Sequence, residues 1–222
     1  MKKVISFSLW GDDPKYTMGA IENASLSKII YPDWVCRFYI GKSVPLHIVE
    51  HLSKFNNTEI VKMNEEGDWR GMFWRFWIAS DESVDIAIVR DCDSRVWLRE
   101  RTAVKEWLAS DKDFHIIKDH PYHSTPILGG MWGVRNGLLK DMRLLCDNYD
   151  QGNFWQVDQN FLSEVVYPIV KGNSITHSFS GAQPLPQNRD SNHFIGQVYD
   201  GCGRIFDGEE YFQDFIRRQI DA

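Results

Sequence analysis

Residues 84–95 read VDIAIVRDCDSR, an apolar run that ends in two aspartates one residue apart. A β-branched run of this kind predicts a strand that is buried on both faces of a parallel sheet. Asp91 and Asp93 then lie at the carboxyl end of that strand, where open α/β sheets bind their ligands. Two carboxylates on a tight turn offer the hard oxygen ligands that Mg²⁺ and Mn²⁺ prefer. We therefore predict a metal and diphosphate site at this turn.

The same aspartates also have a purely structural interpretation. Aspartate is common where strands end because its side chain bonds to the backbone of the turn. Asp93 and Ser94 could equally cap the helix that follows. The rest of the sequence has to decide between the two interpretations.

Length and composition limit the class of protein. A chain of 222 residues can bury a self-sufficient core. Its four cysteines lack the spacing of a zinc site or of a secreted scaffold, which predicts reduced thiols in the cytoplasm. The net charge of −6 disfavours nucleic acid as a partner. The N-terminal apolar stretch predicts a strand and not a signal peptide, and no apolar run could span a membrane, which leaves only peripheral membrane contact open.

Strands and helices alternate along the first half of the chain. The predicted strands cover residues 4–9, 34–40, 59–63, a run that ends at Asp91, and 114–117; the predicted helices cover 17–30, 46–55, an aromatic stretch from about 71, and 100–109. This alternation predicts a mainly parallel sheet with helices on both faces. Three strands end in polar residues, at 8–12, 90–93 and 118–120, so we expect their ends to form one pocket.

The glycine pattern excludes two competing nucleotide sites. A dinucleotide fold would place G-x-G-x-x-G after the first strand, and a P-loop enzyme would carry G-x-x-x-x-G-K-[ST]; neither occurs. A phosphate ligand must therefore be neutralised in another way, and a divalent ion held by Asp91 and Asp93 is the obvious candidate.

Several motifs together resemble a known family. Asp91-Cys92-Asp93 after an apolar strand looks like the D-x-D motif of nucleotide-sugar-dependent glycosyltransferases of the GT-A fold. The resemblance covers about residues 3–200. Within the family, the sequence is similar to a bacterial and viral subgroup that makes polysaccharides or other glycans. The further stretches that carry it are Trp74-Arg75-Phe76, residues 90–95, Arg99-Glu100, Asp119-His120-Pro121 and residues 129–133.

The resemblance implies one Rossmann-like α/β domain over residues 1–222. Residues 1–110 would mainly bind the nucleotide sugar, and residues 111–222 would mainly bind the acceptor and supply a C-terminal lid and helix. The implied reaction moves a sugar from a UDP- or GDP-sugar to a hydroxyl of a glycan or glycolipid, with Mn²⁺ or Mg²⁺ held by the D-x-D acids. Many members add a third metal ligand, often histidine, from the C-terminal part, and His193 is the candidate here, although a loop histidine is commonly just solvated.

The donor side of the predicted site combines aromatic and cationic residues. Ser8, Trp10 and Tyr16 follow the first strand and can stack on or bond to a base and its ribose, unless Trp10 is simply a core residue. Arg75 lies in a segment too apolar for the surface, so it either pairs with a core carboxylate or faces the diphosphate and the acid pair. Arg90 has the same two interpretations, unless it points away from the site.

The acceptor side is predicted in the loop of residues 118–133. His120, His123, Gly130 and Trp132 suit the recognition of sugar hydroxyls, although the stretch could be an ordinary rigid loop. As catalytic residue we rank Asp158 above Asp119, because a similar Asp-Gln pair lines the donor sugar in retaining relatives. Asp158 could instead cap the following helix, and the stereochemistry of the reaction stays open.

The C-terminal part predicts a loop and a helix. Residues 181–203 are rich in proline, glycine and asparagine, which favours a loop that folds back over the pocket as a lid. Residues 208–220 predict a last amphipathic helix. Two other classes of function stay open: a nucleotidyltransferase or sugar-nucleotide hydrolase that uses the same acids, and a non-catalytic carbohydrate-binding domain that uses only the aromatic residues.

Overall fold

The computed structural model describes residues 1–181, 183–186 and 193–205. Within them the chain forms one α/β domain around a seven-stranded sheet with the order β3-β2-β1-β4-β6-β5-β7. The strands are β1 (Lys3–Leu9), β2 (Val35–Ile40), β3 (Thr58–Lys62), β4 (Ile86–Val89), β5 (Phe114–Lys118), β6 (Trp132–Arg135) and β7 (Ser174–Ser178). The predicted helix at 208–220 lies outside the described residues.

The helices cover both faces of this sheet. They are α1 (Pro14–Ile30), α2 (Leu46–Ser53), α3 (Leu98–Ala109), α4 (Met142–Asn148), α5 (Val157–Phe161) and α6 (Tyr167–Val170), with a π-helical turn, Leu162–Val166, between the last two. A 3₁₀ helix runs from Trp69 to Ser80 and a shorter one from Lys171 to Asn173. The first five predicted strands and the helices α1, α2 and α3 are confirmed to within a few residues at each end.

The sheet is mainly parallel, as predicted. β1 pairs in parallel with β2 and β4, β2 with β3, and β5 with β7. Only β6 runs against its neighbours β4 and β5. Because β5 therefore runs in the same direction as β1 and β4, all three polar strand ends do point to the same edge of the sheet. Strand β6 was missed, since residues 118–133 were interpreted as one loop.

The two faces of β1 explain how the sequence positions the site. Its odd-numbered residues Ile5, Phe7 and Leu9 pack into the core beneath α1. Its even-numbered residues face the 3₁₀ helix: Ser6 Oγ donates to the Arg75 carbonyl (2.7 Å), and Ser8 Oγ accepts from the Arg75 N–H (2.9 Å). The period of two along a strand thus places a hydroxyl pair opposite the backbone of Arg75.

The same hydrogen bonds belong to the aromatic helix predicted from about residue 71. The helix is present, and it is a 3₁₀ helix that begins at Trp69. The N–H of Arg75 donates to Ser8 of β1, so it does not donate within an α-helical hydrogen-bond ladder. The segment is capped by Asp68, whose side chain accepts from the Arg70 N–H (2.8 Å).

Candidate active site

A cleft of about 440 Å³ opens at the carboxyl ends of β1 and β4. Its floor includes Ser8, Arg75, Asp91, Asp93 and Asp158, which come from β1, the 3₁₀ helix, the turn after β4, and α5. Arg75 and Asp158, which are 83 positions apart in the sequence, therefore meet in one cavity. The volume falls in the usual range of small-molecule sites.

Arg75 connects the acid pair to the second predicted carboxylate. One of its terminal nitrogens, Nη1, lies 2.9 Å from Asp91 Oδ1, and the other, Nη2, lies 2.8 Å from Asp158 Oδ2. The guanidinium is almost fully buried, with 6% of the side chain exposed. Both interpretations of Arg75 thus meet in one arrangement, because it forms a buried ion pair and also faces the acid pair.

Asp158 is held on both of its oxygens. Oδ2 binds Arg75, and Oδ1 accepts from the backbone N–H of Gln159 (2.9 Å). Burial raises the pKa of Asp158 above its usual value, and the charge of Arg75 opposes this effect. The residue that precedes α5 is Gln156, so Asp158 belongs to the first turn and is not the helix cap. Its side chain lines the cleft instead.

The acid pair itself differs in exposure. The side chain of Asp91 is 39% exposed towards the cleft, whereas that of Asp93 is 14% exposed and lies 3.0 Å from Lys15 Nζ on α1. Burial, followed by the charge of Asp91, raises the pKa of Asp93, and Lys15 opposes the shift. The cleft therefore concentrates negative charge that two cations already balance in part.

Two glycines make room for this arrangement. A Cβ at Gly129 would lie 2.6 Å from Asp158 Oδ2 and 2.7 Å from Arg75 Nη2, and a Cβ at Gly130 would lie 2.5 Å from Asp91 Cγ. Both contacts are closer than atoms tolerate. Gly130 was predicted to bind the acceptor because glycine admits a sugar, but here it admits the side chain of Asp91. Gly129 was not predicted, although it is the neighbour of Gly130 in the same motif.

The donor set at this edge fits a divalent ion with an open coordination sphere. Asp91 and Asp93 supply hard carboxylate oxygens, and Mg²⁺ in particular keeps several waters and binds through one or two carboxylates plus substrate phosphates. The raised pKa of Asp93 comes first from burial and then from the charge of Asp91, and a bound cation would oppose both effects. Within the described ranges, no group of three or more His, Cys, Asp or Glu side chains is arranged to hold a metal.

His193 lies apart from the acid pair. Its ring packs against Trp97, with 4.8 Å between the centroids, and Nε2 forms a hydrogen bond with the Tyr199 hydroxyl. It does not line the cleft. The structure therefore does not bring the predicted third ligand to Asp91 and Asp93.

The three residues predicted to contact the base and ribose all line the cleft. Ser8 is buried, and its hydroxyl is already bonded to the backbone of the 3₁₀ helix. Trp10 packs edge-on against Trp74, with 6.3 Å between the ring centroids, yet keeps part of its surface in the cleft. Tyr16 is half-buried, and its pKa is raised by burial and by Asp93. Trp10 and Tyr16 thus offer ring surfaces to a ligand.

Arg90, Asp119, His120 and Trp132 are not brought into the cleft. Arg90 points to the opposite face and pairs with Glu100, with 2.8 Å between Nε and Oε1. Trp132 belongs to β6 and is fully buried against Phe114. A buried strand residue that faces the core cannot contact an acceptor without opening the sheet.

Asp119 is fully buried, and its side chain holds other parts of the protein together. Both of its oxygens bind the guanidinium of Arg99 (3.0 Å each), and Oδ2 also accepts from the backbone N–H of Ile195 (3.0 Å). The contact with Ile195 anchors part of the loop predicted to fold back over the pocket, and Gly196 and Val198 from that loop do line the cleft.

Of the predicted acceptor histidines, His123 lines the cleft, whereas His120 packs on Phe194.

The cleft also contains residues that the sequence did not single out. Trp69 and Trp155 stand at its rim with 41% and 64% of their surfaces exposed. Gln156 has a left-handed backbone, with φ at 75°, an uncommon conformation for a residue with a side chain. The Phe154-Trp155 pair, a few residues before Asp158, was the available signal for this rim, because large aromatic residues near a polar site often bind ligands.

No protein-family model matches the sequence, and no curated protein is similar to it at a significant level. Solved structures, in contrast, share its fold. A glycosyltransferase involved in the glycosylation of the major capsid of PBCV-1 aligns with a TM-score of 0.54 at 17% identity, covering 80% of this chain and 82% of that one.

Two further structures are similar. The mannosyltransferase PcManGT from Pyrobaculum calidifontis, in complex with GDP-Man and Mn²⁺, aligns with a TM-score of 0.53 at 13% identity over 86% of this chain and 59% of that one. Residues 1–349 of S. aureus TarS align with a TM-score of 0.55 at 15% identity over 80% of this chain and 58% of that one. The protein therefore has the single-domain α/β fold of the GT-A glycosyltransferases, with a mostly parallel sheet flanked by helices.

Proposed function

We propose that the protein is a metal-dependent glycosyltransferase that moves a sugar from a UDP- or GDP-sugar to a hydroxyl of a glycan or glycolipid. The observation that carries the proposal is the Arg75 bridge between Asp91 and Asp158 on the floor of the cleft. A buried guanidinium that binds two carboxylates, one of which is the partly exposed Asp91 of the acid pair, is an arrangement suited to a ligand that carries both phosphate and a metal ion.

The acid pair is proposed to hold Mn²⁺ or Mg²⁺. When bound, the ion would offset the negative charge that builds up on the diphosphate as the glycosidic bond breaks. Arg75 would add a fixed positive charge at the same place, and because the guanidinium is already oriented, it needs little reorganisation during the reaction. The mannosyltransferase of the same fold was solved with GDP-Man and Mn²⁺, which supports this assignment.

Asp158 is proposed to face the donor sugar. It lines the cleft beside Arg75, and Gly129 packs closely against its carboxylate because a glycine carries no side chain. Trp10 and Tyr16 would contact the base and ribose, and the rim formed by Trp69, Trp155 and His123 would contact the acceptor. On this proposal Trp69 contacts the acceptor, although it belongs to residues 1–110, which were expected mainly to bind the nucleotide sugar.

The setting of the enzyme is proposed from its chemistry. All four cysteines are free thiols, as expected of a protein that works in the reducing cytoplasm. No helix among residues 1–181, 183–186 and 193–205 is both long and apolar enough to cross a membrane.

A thermal-shift screen of nucleoside diphosphate sugars, with and without Mn²⁺, tests the proposal. A ligand that binds only the folded state raises the melting temperature, by mass action. We expect at least one UDP- or GDP-sugar to raise it, the shift to disappear when a chelator is added, and the shift to be absent from a variant in which Asp91 and Asp93 are both alanine. A metal-dependent shift that survives in this variant would contradict the assignment of the acid pair.

A further inference from the structure

Lys15 is a cation at the cleft that the proposed reaction does not yet use. Its Nζ lies 3.0 Å from Asp93 Oδ2, and its ammonium also lies over the ring of Tyr16, 4.9 Å from the centroid. The lysine lies in the first turn of α1, which begins at Pro14, and the preceding residues Asp12 and Asp13 line the cleft. Lys15 therefore pairs with Asp93, whereas Arg75 pairs with Asp91.

The fold fixes the backbone of Lys15 relative to the acid pair. Two turns further along α1, the side-chain amide of Asn23 donates to the carbonyl of Ser94 (2.7 Å) and accepts from the N–H of Val96 (3.0 Å). These bonds tie α1 to the turn that contains Asp91 and Asp93. The N-terminus of α1 is held as well, because Asp13 Oδ1 accepts from the Lys15 N–H (2.8 Å).

The two cations differ in freedom. Arg75 is 6% exposed and clamped between two carboxylates, so it cannot move without breaking a buried network. The side chain of Lys15 is 25% exposed, and its four-carbon stem can redirect the ammonium without any backbone change. Only Lys15 can therefore release its carboxylate when a ligand arrives.

We infer that Lys15 is a displaceable cation: it occupies Asp93 in the empty cleft, yields that carboxylate to the metal ion, and then binds the diphosphate. The inference rests on the proposed function. Oxygen ligands of one small ion lie next to one another, so a phosphate bound to an ion at Asp93 comes within reach of the same ammonium. Lysine suits this role because it binds phosphate as a compact point charge from several directions.

The substitution Lys15→Met tests the inference, because it keeps the length of the side chain and removes its charge. Without nucleotide, the variant should bind Mn²⁺ about fivefold more tightly, since a competing cation is gone. With Mn²⁺ present at saturation, it should bind UDP or GDP about tenfold more weakly, since a phosphate contact is gone. Mn²⁺ binding is measured by electron paramagnetic resonance of the free ion and nucleotide binding by titration calorimetry.

Opposite signs of the two effects distinguish this role from simple damage, which would weaken both. Lys28→Met is the matched control, because Lys28 lies on the same helix at its exposed far end, and it should change neither constant. If the wild-type protein binds none of UDP, GDP and pyrophosphate, the proposed function itself fails. If the wild type binds a nucleotide but Lys15→Met shifts both constants in the same direction, or neither, the inference about Lys15 alone is overturned.

Discussion

The substitution Arg75→Met should destabilise the protein by about 3 kcal/mol, because it leaves Asp158 buried without its cation. Breaking a buried ion pair by removing one partner typically costs about 3–5 kcal/mol. We place this site at the lower end, because Asp91, the second partner, is 39% exposed and water can solvate it, whereas Asp158 is 3% exposed and cannot be solvated. The free energy of unfolding is measured by urea titration at pH 7.

The pH dependence gives this prediction a second, independent readout. Burial already raises the pKa of Asp158 in the wild-type protein, and loss of the opposing charge of Arg75 should raise it further. A carboxyl group whose pKa is higher in the folded than in the unfolded state binds protons preferentially when folded, so its effect on stability becomes less favourable as the pH rises. The variant should therefore recover part of the lost stability between pH 7 and pH 5.

Arg101→Met is the matched control, because Arg101 is a half-buried arginine on α3 that does not line the cleft. It should change the free energy of unfolding by no more than about 0.5 kcal/mol. The reasoning is refuted if the free energy of unfolding of Arg75→Met lies within about 1 kcal/mol of the wild-type value, since a buried and unpaired carboxylate destabilises a protein by more than that.

Two further predictions concern a glycine and a histidine pair. Gly130→Ala should weaken Mn²⁺ binding by about tenfold in a metal titration, because a Cβ there would displace the carboxylate of Asp91. Gly172→Ala is the control, since Gly172 has open space around it, and it should leave Mn²⁺ binding unchanged. Equal Mn²⁺ affinities for both variants would contradict the close contact at Gly130. His115 and His177 are buried with 2.8 Å between their ring nitrogens, and burial holds the pKa of His115 well below its usual value. As the pH falls, the histidine is therefore protonated in the unfolded chain before it is protonated in the folded protein, so the free energy of unfolding should fall below about pH 6.5. His115→Phe should reduce that fall in urea titrations at pH 7.5 and 5.5. An equal loss of stability in variant and wild type would contradict this prediction.

Strand periodicity explains which parts of the fold could be predicted. The apolar run before Asp91 and the alternation of strands with helices are local patterns, and they place the acid pair at the correct edge of the sheet. Strand β6 has only four residues and follows two glycines, so it carries no such pattern. Trp132 was therefore assigned to a loop, although it faces the core.

The position of Arg90 was predictable in principle. Adjacent residues of an extended chain point to opposite faces, so Arg90 and Asp91 cannot both face the cleft. The backbone N–H of Arg90 still bonds to the Ser6 carbonyl of β1 (3.0 Å), which shows that the extended pairing continues to this point. Its guanidinium accordingly meets Glu100 on α3.

The contacts of Arg75 could not be predicted from local sequence. Asp158 is 83 residues away, and nothing in the pattern of either segment indicates the other. The same holds for Lys15, which meets Asp93 only because Asn23 fixes α1 against the turn after β4. Long-range contacts of this kind depend on how whole elements pack, and a charged residue in an apolar segment indicates only that some partner must exist.

The central claim is that the cleft binds a nucleoside diphosphate sugar through an ion held by Asp91 and Asp93, and turnover tests it most directly. The protein is incubated with Mn²⁺ and a panel of UDP- and GDP-sugars, and release of UDP or GDP is followed with and without added glycans. We predict release from at least one donor that is stimulated by an acceptor, is abolished by a chelator, and falls at least about a hundredfold in Asp91→Asn, since loss of one charged ligand or transition-state contact costs a few kcal/mol. Release that persists unchanged in Asp91→Asn and in chelator would contradict the account.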